Sequence, residues 1–398
     1  MTTAHDSSSV PTTLDLAGPL HRGRLVVEAS AGTGKTYSLS ALVARHLAER
    51  DDLAAANLLV VTFTRAAAAE LRDRTRRAIV TARDALRSGE RSESDLWIQP
   101  LLDGTAVQVA ERRSRLEAAV TSFDDATITT IHGFCQQALR QLGLRSGAAL
   151  GSEMTEGGNL LVEEVCRDLV VAELLDDVSR LSLGKDSGPS SALEKLVGAV
   201  KKVLGNPDAV VVPPPSVTKP VVAPEVLDRW SATVNAAAAA GPRRRAARGE
   251  MGYDDLVNGL FEALTGPDGG SVAAALRDRY ALVMVDEFQD TDPRQWQIFS
   301  TAFPCTREAP SDLITVGDPK QAIYRFRGAD VHAYLTAVAG QDAAYLGTNY
   351  RSDADLIAAT NALLEGHALG DERIVASPVE PREGAPRRTL SGVDGEPL

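Results

Sequence analysis

The sequence is poor in cysteine, histidine and aromatic residues. Three cysteines, Cys135, Cys166 and Cys305, are spread over 398 residues. They are too few and too scattered for a disulfide framework, and none stands in the Cys-x-x-Cys spacing of a zinc site. A reducing, cytoplasmic setting is expected. No apolar run approaches the roughly 20 residues that a bilayer requires. The opening MTTAHDSSSVPTTLDLAG has no basic stretch followed by an apolar one, so neither a membrane span nor a secretory leader is expected. An excess of basic charge is also lacking: 42 Lys+Arg against 54 Asp+Glu leave a net charge of −12. That total does not exclude a nucleic-acid partner, because binding depends on charge gathered on one face.

What is present is the composition of an ordinary globular protein, 44% hydrophobic and 24% charged, long enough for roughly two to three domains and an ample core. From Arg65 to Arg87 seven arginines stand against Glu70, Asp73 and Asp84, which reads either as a solvated helix face or as a cationic surface. Short apolar, β-branched runs recur: RLVVEA (24–29), NLLVVT (57–62), ATITT (126–130), ALVMV (281–285) and DLITV (312–316). Helical patterns follow most of them, at 35–47, 66–86, 131–142 and 293–302. Buried strands alternating with helices predict an α/β, doubly wound parallel sheet.

The middle, about residues 150–280, reads as a helical insertion with loose connectors. It has a helical patch at 158–175, the segment VVVPPPSVTKPVVAP (210–224), taken as a linker in preference to a polyproline recognition motif, and an Ala run (236–240) entering GPRRRAARGE. No internal repeat is present. The tail after His367 is rich in Pro and Gly and is expected to carry no periodic element.

After the first strand comes Ala29-Ser30-Ala31-Gly32-Thr33-Gly34-Lys35-Thr36, a phosphate-loop pattern with Ala29 in place of the first Gly. Gly32 and Gly34 let backbone N–H groups close around phosphates, Lys35 brings positive charge to the β and γ oxygens, and Thr36 offers its hydroxyl to Mg2+. A tight glycine turn without a ligand is the bland alternative. The second half of such a site is a strand ending in carboxylates, and ALVMV followed by Asp286 and Glu287 supplies it. Asp286 is expected to hold Mg2+ and Glu287 to polarise or deprotonate the attacking water.

Further segments narrow the reading. ASAGTGKT, VVTFTRAAAAELRDR (60–74), TTIHGFCQ (129–136), VDEFQDTDPRQ (285–295), VGDPKQAIYRFRGAD (316–330) and NYRS (349–352) together resemble the ordered motif set of superfamily 1 DNA helicases of the UvrD type. LDLAGPL (14–20), EASAGTGKT, TIHGFC and GYDDL (252–256) most resemble its RecB-like branch. The resemblance implies a P-loop NTPase (RecA-like) sheet with helices on both faces and a mostly helical inserted subdomain. It divides the chain into 1–150, first part of the motor domain; 151–280, the insertion; 281–345, the motor domain's second part; and 346–398, the start of a second motor domain.

Roles follow residue by residue. Gln321 would sense the γ-phosphate, Arg351 would reach it, and Tyr350 would stack on the base, while Gln289 and Asp290 organise the site. On the DNA side, Phe63, Tyr324 and Phe326 would be stacking shelves, with Thr62, Thr64, Thr130, His132 and Arg327 at backbone or bases. Core packing is the alternative for Tyr324, and a structural role that for His132. The implied cofactors are ATP and Mg2+; the implied partners are single-stranded DNA, duplex DNA ends and companion subunits of a RecBCD-like complex, with no membrane.

The sequence departs from the UvrD pattern in several places. LDLAGPLHRGRL has no Gln to read adenine, Arg65-Ala66 replaces Asn-Lys after TFT, and Phe326 stands where Trp is frequent. Residues 353–398 supply none of the later helicase motifs and no nuclease constellation. The expectation is an N-terminal portion of an ATP-dependent DNA helicase of double-strand-break repair and recombination, with little or no strand separation by this chain alone. The alternative is an ATP- and single-stranded-DNA-binding module that needs a partner chain. A transport or signalling ATPase has no use for the TFT, TIHGF, GDPKQ and NYRS segments. Arg243, Arg244, Arg245 and Arg248 lie either near duplex or in a solvated linker.

Overall fold

The computed structural model describes residues 12–91, 94–143, 153–154, 158–169, 171–172, 189–204, 211–212, 224–308, 310–322, 331–364 and 366–384. The chain divides into two compact units, residues 1–134 with 264–398, and residues 135–263.

The first unit is built on seven strands: β1 (Thr12–Thr13), β2 (Arg24–Glu28), β3 (Leu58–Thr62), β4 (Thr127–Thr130), β5 (Leu282–Val285), β6 (Asp312–Gly317) and β7 (Asp342–Tyr345). Their order is β1-β7-β2-β6-β5-β3-β4, with every pairing parallel. The central strands β3, β5 and β6 are buried at every position, which is why they read as continuous apolar runs rather than alternating ones. All five strands expected from the sequence are present.

Two strands on one side of the sheet were not expected, β1 at its edge and β7 between β1 and β2. β1, Thr12–Thr13, is too short to show any period, and β7 reads DAAY, with neither alternation nor a β-branched residue.

Helices α1 (Lys35–Glu49), α2 (Arg65–Ser88), α3 (Ala106–Thr121) and α4 (Ile131–Leu142) follow β2, β3 and β4 or lie between them. α1 buries almost its entire length, from Ser38 to Ala48. α2 buries Ala68, Leu71, Thr75, Ile79, Ala82 and Leu86 and turns its arginines outward, the one-sided stripe of an amphipathic helix. Thr64 caps α2 by accepting the Ala67 N–H at 3.1 Å. Phe134 of α4 stacks on Phe299 at 5.5 Å and meets Tyr280 edge-on at 6.0 Å, which anchors the start of α4.

The tail differs from expectation. Ala368–Leu369 pairs antiparallel with Asp371–Val375, and Thr348–Asn349 pairs parallel with Glu380–Pro381. The partner of the last segment lies some thirty residues upstream, so no local period announces it.

The second unit packs three helices, α5 (Gly158–Leu169), α6 (Pro189–Leu204) and α7 (Pro224–Ala247), around Val162, Val165, Cys166, Leu196, Val200, Val226 and Val234. The expected patch at 158–175 is helical to Leu169. The Ala run and GPRRRAA are helix rather than connector, with Pro242 inside α7. Arg244 pairs with Asp168 at 2.7 Å, Arg248 with Glu164 at 2.7 Å, and Arg245, nearly buried, makes a two-pronged pair with Asp255 at 2.6 and 2.8 Å. These arginines are tied into their own unit, and the linker reading of them does not hold. Most of 210–224 lies outside the described residues.

Candidate nucleotide site

The parallel topology gathers the motifs before any side chain is considered. β2 ends in the glycine loop, β6 in Gly317-Asp318-Pro319-Lys320-Gln321, β5 in Asp286-Glu287, β3 in Thr62 and β4 in Thr130. In sheet order these strands are neighbours, so five separate segments meet along one carboxyl edge, where open α/β sheets bind their ligands.

The glycine loop is held from both sides. Ala29, fully buried, donates its N–H to the Gly317 carbonyl at 2.9 Å, and Thr33 gives its hydroxyl to the Ser30 carbonyl at 2.7 Å. Gly32 has φ +84°, and a Cβ there would stand 2.8 Å from Arg351 Cβ and 2.9 Å from Asn349 Oδ1. Both the dihedral and the space demand glycine. Gly34, at φ +81°, is the N-cap of α1, so the positive end of a fifteen-residue helix faces the loop.

Asn349 clasps the loop from the NYRS segment. Its Nδ2 donates to the Ala31 carbonyl at 3.1 Å while its Oδ1 accepts the Arg351 and Ser352 N–H groups. Tyr350 N–H donates to the Gly32 carbonyl at 2.8 Å. Tyr350 and Arg351 are thereby presented, both exposed, at the mouth of the loop.

The acidic turn is arranged around charge. Glu287 has φ +52°, a left-handed conformation that costs a non-glycine residue about 1–3 kcal/mol. Its carboxylate takes Lys35 Nζ at 2.7 Å and Gln289 Nε2 at 2.7 Å. Asp286 is 7% exposed and accepts the Thr62 hydroxyl at 3.3 Å on one oxygen. Its other oxygen has no partner, nor has one oxygen of Asp290. Burial, reinforced by Glu287 and opposed by Lys35, pushes the Asp286 carboxyl up to about 6. Burial and Glu287 do the same to Asp290, also to about 6. Two buried carboxylate oxygens without donors beside a phosphate loop fit a hard divalent cation, which takes oxygen ligands.

A cleft of about 440 Å³ opens over these groups, lined by Ser30, Ala31, Gly32, Gly34, Lys35, Thr36, Glu287, Gln321, Tyr350 and Arg351. Three residues without an expected role also line it: Tyr37, Glu70 and Arg74. Glu70 and Arg74 pair at 2.6 Å one turn apart on α2. Tyr37 gives its hydroxyl to Asp95 at 2.8 Å, and burial with that bond raises its pKa far above the ordinary value. The only sequence signals for these three were Tyr37 following directly on GKT and the i,i+4 spacing of the charged pair.

Of the residues expected at DNA, Thr62 is buried and serves Asp286, and Thr64 caps α2. Thr130 Oγ1 accepts the Gly133 N–H at 3.1 Å, while Phe63, just after β3, and His132, in the first turn of α4, are half-buried. Tyr324, Phe326 and Arg327 lie outside the described residues.

A parallel sheet with a glycine loop after one strand and an acidic turn after another defines a phosphate-loop nucleotide-binding domain. A profile of the UvrD/REP helicase N-terminal domain matches residues 15–339, and the chain belongs to that family. The family's activity is nucleotide-dependent. The chain is 39% identical over 383 residues to the RecBCD enzyme subunit RecB of Mycolicibacterium smegmatis, covering 94% of this chain and 33% of that protein. It is 30% identical over 468 residues to the subunit of the same name from Escherichia coli, covering 89% of this chain and 39% of that one. The chain thus spans about a third of the length of these curated relatives. No described helix is long and apolar enough to cross a membrane.

Proposed function

We propose that the chain is the ATP-binding N-terminal motor portion of a RecB-like DNA helicase of double-strand-break repair and recombination, acting in the cytoplasm. The observation that carries this is the cleft itself. Gly32, Gly34, Lys35, Thr36, Glu287, Gln321 and Arg351 come from four distant segments and converge on one volume of about 440 Å³, large enough for a nucleoside triphosphate.

In this reading Lys35 and the loop N–H groups bind the phosphates. Lys35 is already oriented by Glu287 and exchanges that partner for phosphate oxygens when nucleotide enters. Glu287, released from the ammonium, accepts a proton from the attacking water at its carboxylate oxygen. Gln321 and Arg351 approach the terminal phosphate, where an arginine that meets developing charge contributes about 10³–10⁵ in rate. Thr36 and Asp286 would hold Mg2+, which neutralises charge on the phosphate oxygens when bound. Tyr350, exposed at the cleft, would cover the base.

In the same reading Thr62, Phe63, Thr64, Thr130 and His132, which end or follow β3 and β4, would face DNA, and the family resemblance assigns Tyr324, Phe326 and Arg327 to the same task. Residues 1–150 and 281–345 act as one motor domain, 151–280 as its insertion, and 346–398 as the opening of a second motor domain. The substrates are single-stranded DNA and duplex ends, and companion subunits of a RecBCD-like complex are the protein partners.

The test is ATP hydrolysis by the purified chain with and without single-stranded DNA, beside a Lys35→Ala control. DNA-stimulated turnover absent from the control is the expected result. Nucleotide binding without turnover would favour a module that completes its site with a partner chain. Absence of both would refute the reading.

A further inference from the structure

Lys320 follows Asp318-Pro319 at the end of β6 and is largely withdrawn from solvent, with 14% of its side chain exposed. Its ammonium serves two carboxylates at once, Asp318 Oδ1 at 2.8 Å and Glu28 at the end of β2. Burial works against that charge, but Asp318 and Glu28 more than offset it and hold the ammonium above its ordinary pKa. Asp318 is a junction. Its Oδ2 accepts Gln321 Nε2 at 2.6 Å, its Oδ1 also accepts the Lys320 N–H at 3.1 Å, and its own N–H donates to Gln289 Oε1 at 2.9 Å. Gln289 donates through Nε2 to Glu287, the carboxylate that meets Lys35. An unbroken run of polar contacts therefore leads from Lys35 to Gln321, and Lys320 is the cation at its far end.

We propose that Lys320 is a positioning residue: by bridging Glu28 to Asp318 it locks the side-chain amide of Gln321 in the one orientation from which that residue reads the terminal phosphate of a bound nucleotide. The inference rests on the nucleotide reading above.

The physical reason lies in the asymmetry of an amide. A carboxylate only accepts, so an ionised Asp318 can bond Gln321 through Nε2 alone, which directs Oε1 and the second N–H away from it. Without the ammonium, the Asp318 carboxylate loses the bridge that ties it to Glu28 and faces that like charge with no cation between them. It can then turn away from Glu28, and the Gln321 amide that it holds turns with it and loses a single orientation.

The experiment compares equilibrium binding of a fluorescent non-hydrolysable ATP analogue with that of the matching ADP derivative to the full chain, in the wild type, Lys320→Met and Lys320→Arg. One charge-assisted bond to the terminal phosphate corresponds to roughly a tenfold or greater preference for the triphosphate in the wild type. Lys320→Met is expected to lower that ratio by roughly the tenfold that the Gln321 contact contributes, leaving the share due to Lys35 and Arg351 and ADP affinity little changed, and Lys320→Arg to restore it. A purely structural lysine would weaken both ligands together and leave the ratio intact, and that result would overturn the inference. So would a wild type that binds both without preference. Lys320→Gln, which keeps a donor but not the charge, gives the same readout if the Met variant does not fold. A wild type that binds neither nucleotide would remove the underlying reading and this inference with it.

Discussion

Glu287 sits in a left-handed conformation, fixed between a lysine from the phosphate loop and a glutamine two residues on. Its position at 2.7 Å from Lys35 makes the two residues separable by experiment. Glu287→Gln removes the proton acceptor but keeps the size, so turnover should fall by about 10²–10⁴ while nucleotide affinity holds or rises, because the ammonium is released to the phosphates. Stopped-flow binding and steady-state hydrolysis on one preparation decide it; equal losses in both would contradict the assignment. Gly32→Ala is expected to cripple nucleotide binding and lower thermal stability together, because the added methyl meets Arg351 and Asn349 side-chain atoms inside 3 Å at a positive φ. Binding calorimetry and a melting curve read both effects.

The loop residues were legible in the sequence because their chemistry is contiguous: eight residues suffice to state it. Asn349, Tyr37, Glu70 and Arg74 were not, since their approach to the loop depends on strand order and helix rotation rather than on spacing.

At the scale of elements, α1 carries a buried liability. His46, on its last turn, is fully buried and neither ring nitrogen has a hydrogen-bond partner. Burial, with Arg50, Arg22 and Arg45 nearby, pushes it down from 6.5 to about 3. The folded chain therefore refuses a proton that the unfolded chain takes up below pH 6.5. The stability associated with a neutral His46 is complete above that pH and is lost as pH falls toward about 3, at no more than about 1.4 kcal/mol per pH unit. His46→Leu should leave stability at pH 7 unchanged or higher and reduce its loss at pH 5. Urea unfolding at the two pH values checks this, and an undiminished acid loss in the variant would show that His46 is not its source.

Elements were readable where burial is continuous on both faces, as in β3, β5 and β6. α3 escaped because only Leu116 and Ala119 are buried, leaving almost no stripe. Its true signal is the Thr105–Gln108 capping box, a T-x-x-Q pattern that marks a helix start without any apolar period. α7 was misread because Gly241 and Pro242 are breakers by propensity. Beyond them, Arg244 and Arg245 in its last turn bond Asp168 and Asp255, tertiary contacts that propensity does not see.

For the whole molecule, the division into two compact units predicts separable stabilities. Arg245 is 6% exposed and its pair with Asp255 is nearly buried. Breaking such a pair by removing one partner costs about 3–5 kcal/mol, since a charge is left uncompensated. Arg245→Ala should therefore destabilise residues 135–263 while the nucleotide cleft, assembled wholly from the other unit, keeps its affinity. Hydrogen exchange resolved by peptide, with nucleotide binding in parallel, would show the two effects apart. A parallel fall in affinity would contradict the separation.

The central claim is that segments hundreds of residues apart form one nucleotide site. Calorimetric titration of the purified chain with ATP and Mg2+, repeated on Lys35→Ala and Arg351→Ala, tests it most directly. The account predicts a single site in the wild type, binding abolished or weakened by about two orders of magnitude in Lys35→Ala, and a smaller but clear loss in Arg351→Ala, as expected for charge-assisted contacts to phosphate. Wild-type affinity in Lys35→Ala would place nucleotide elsewhere and contradict it.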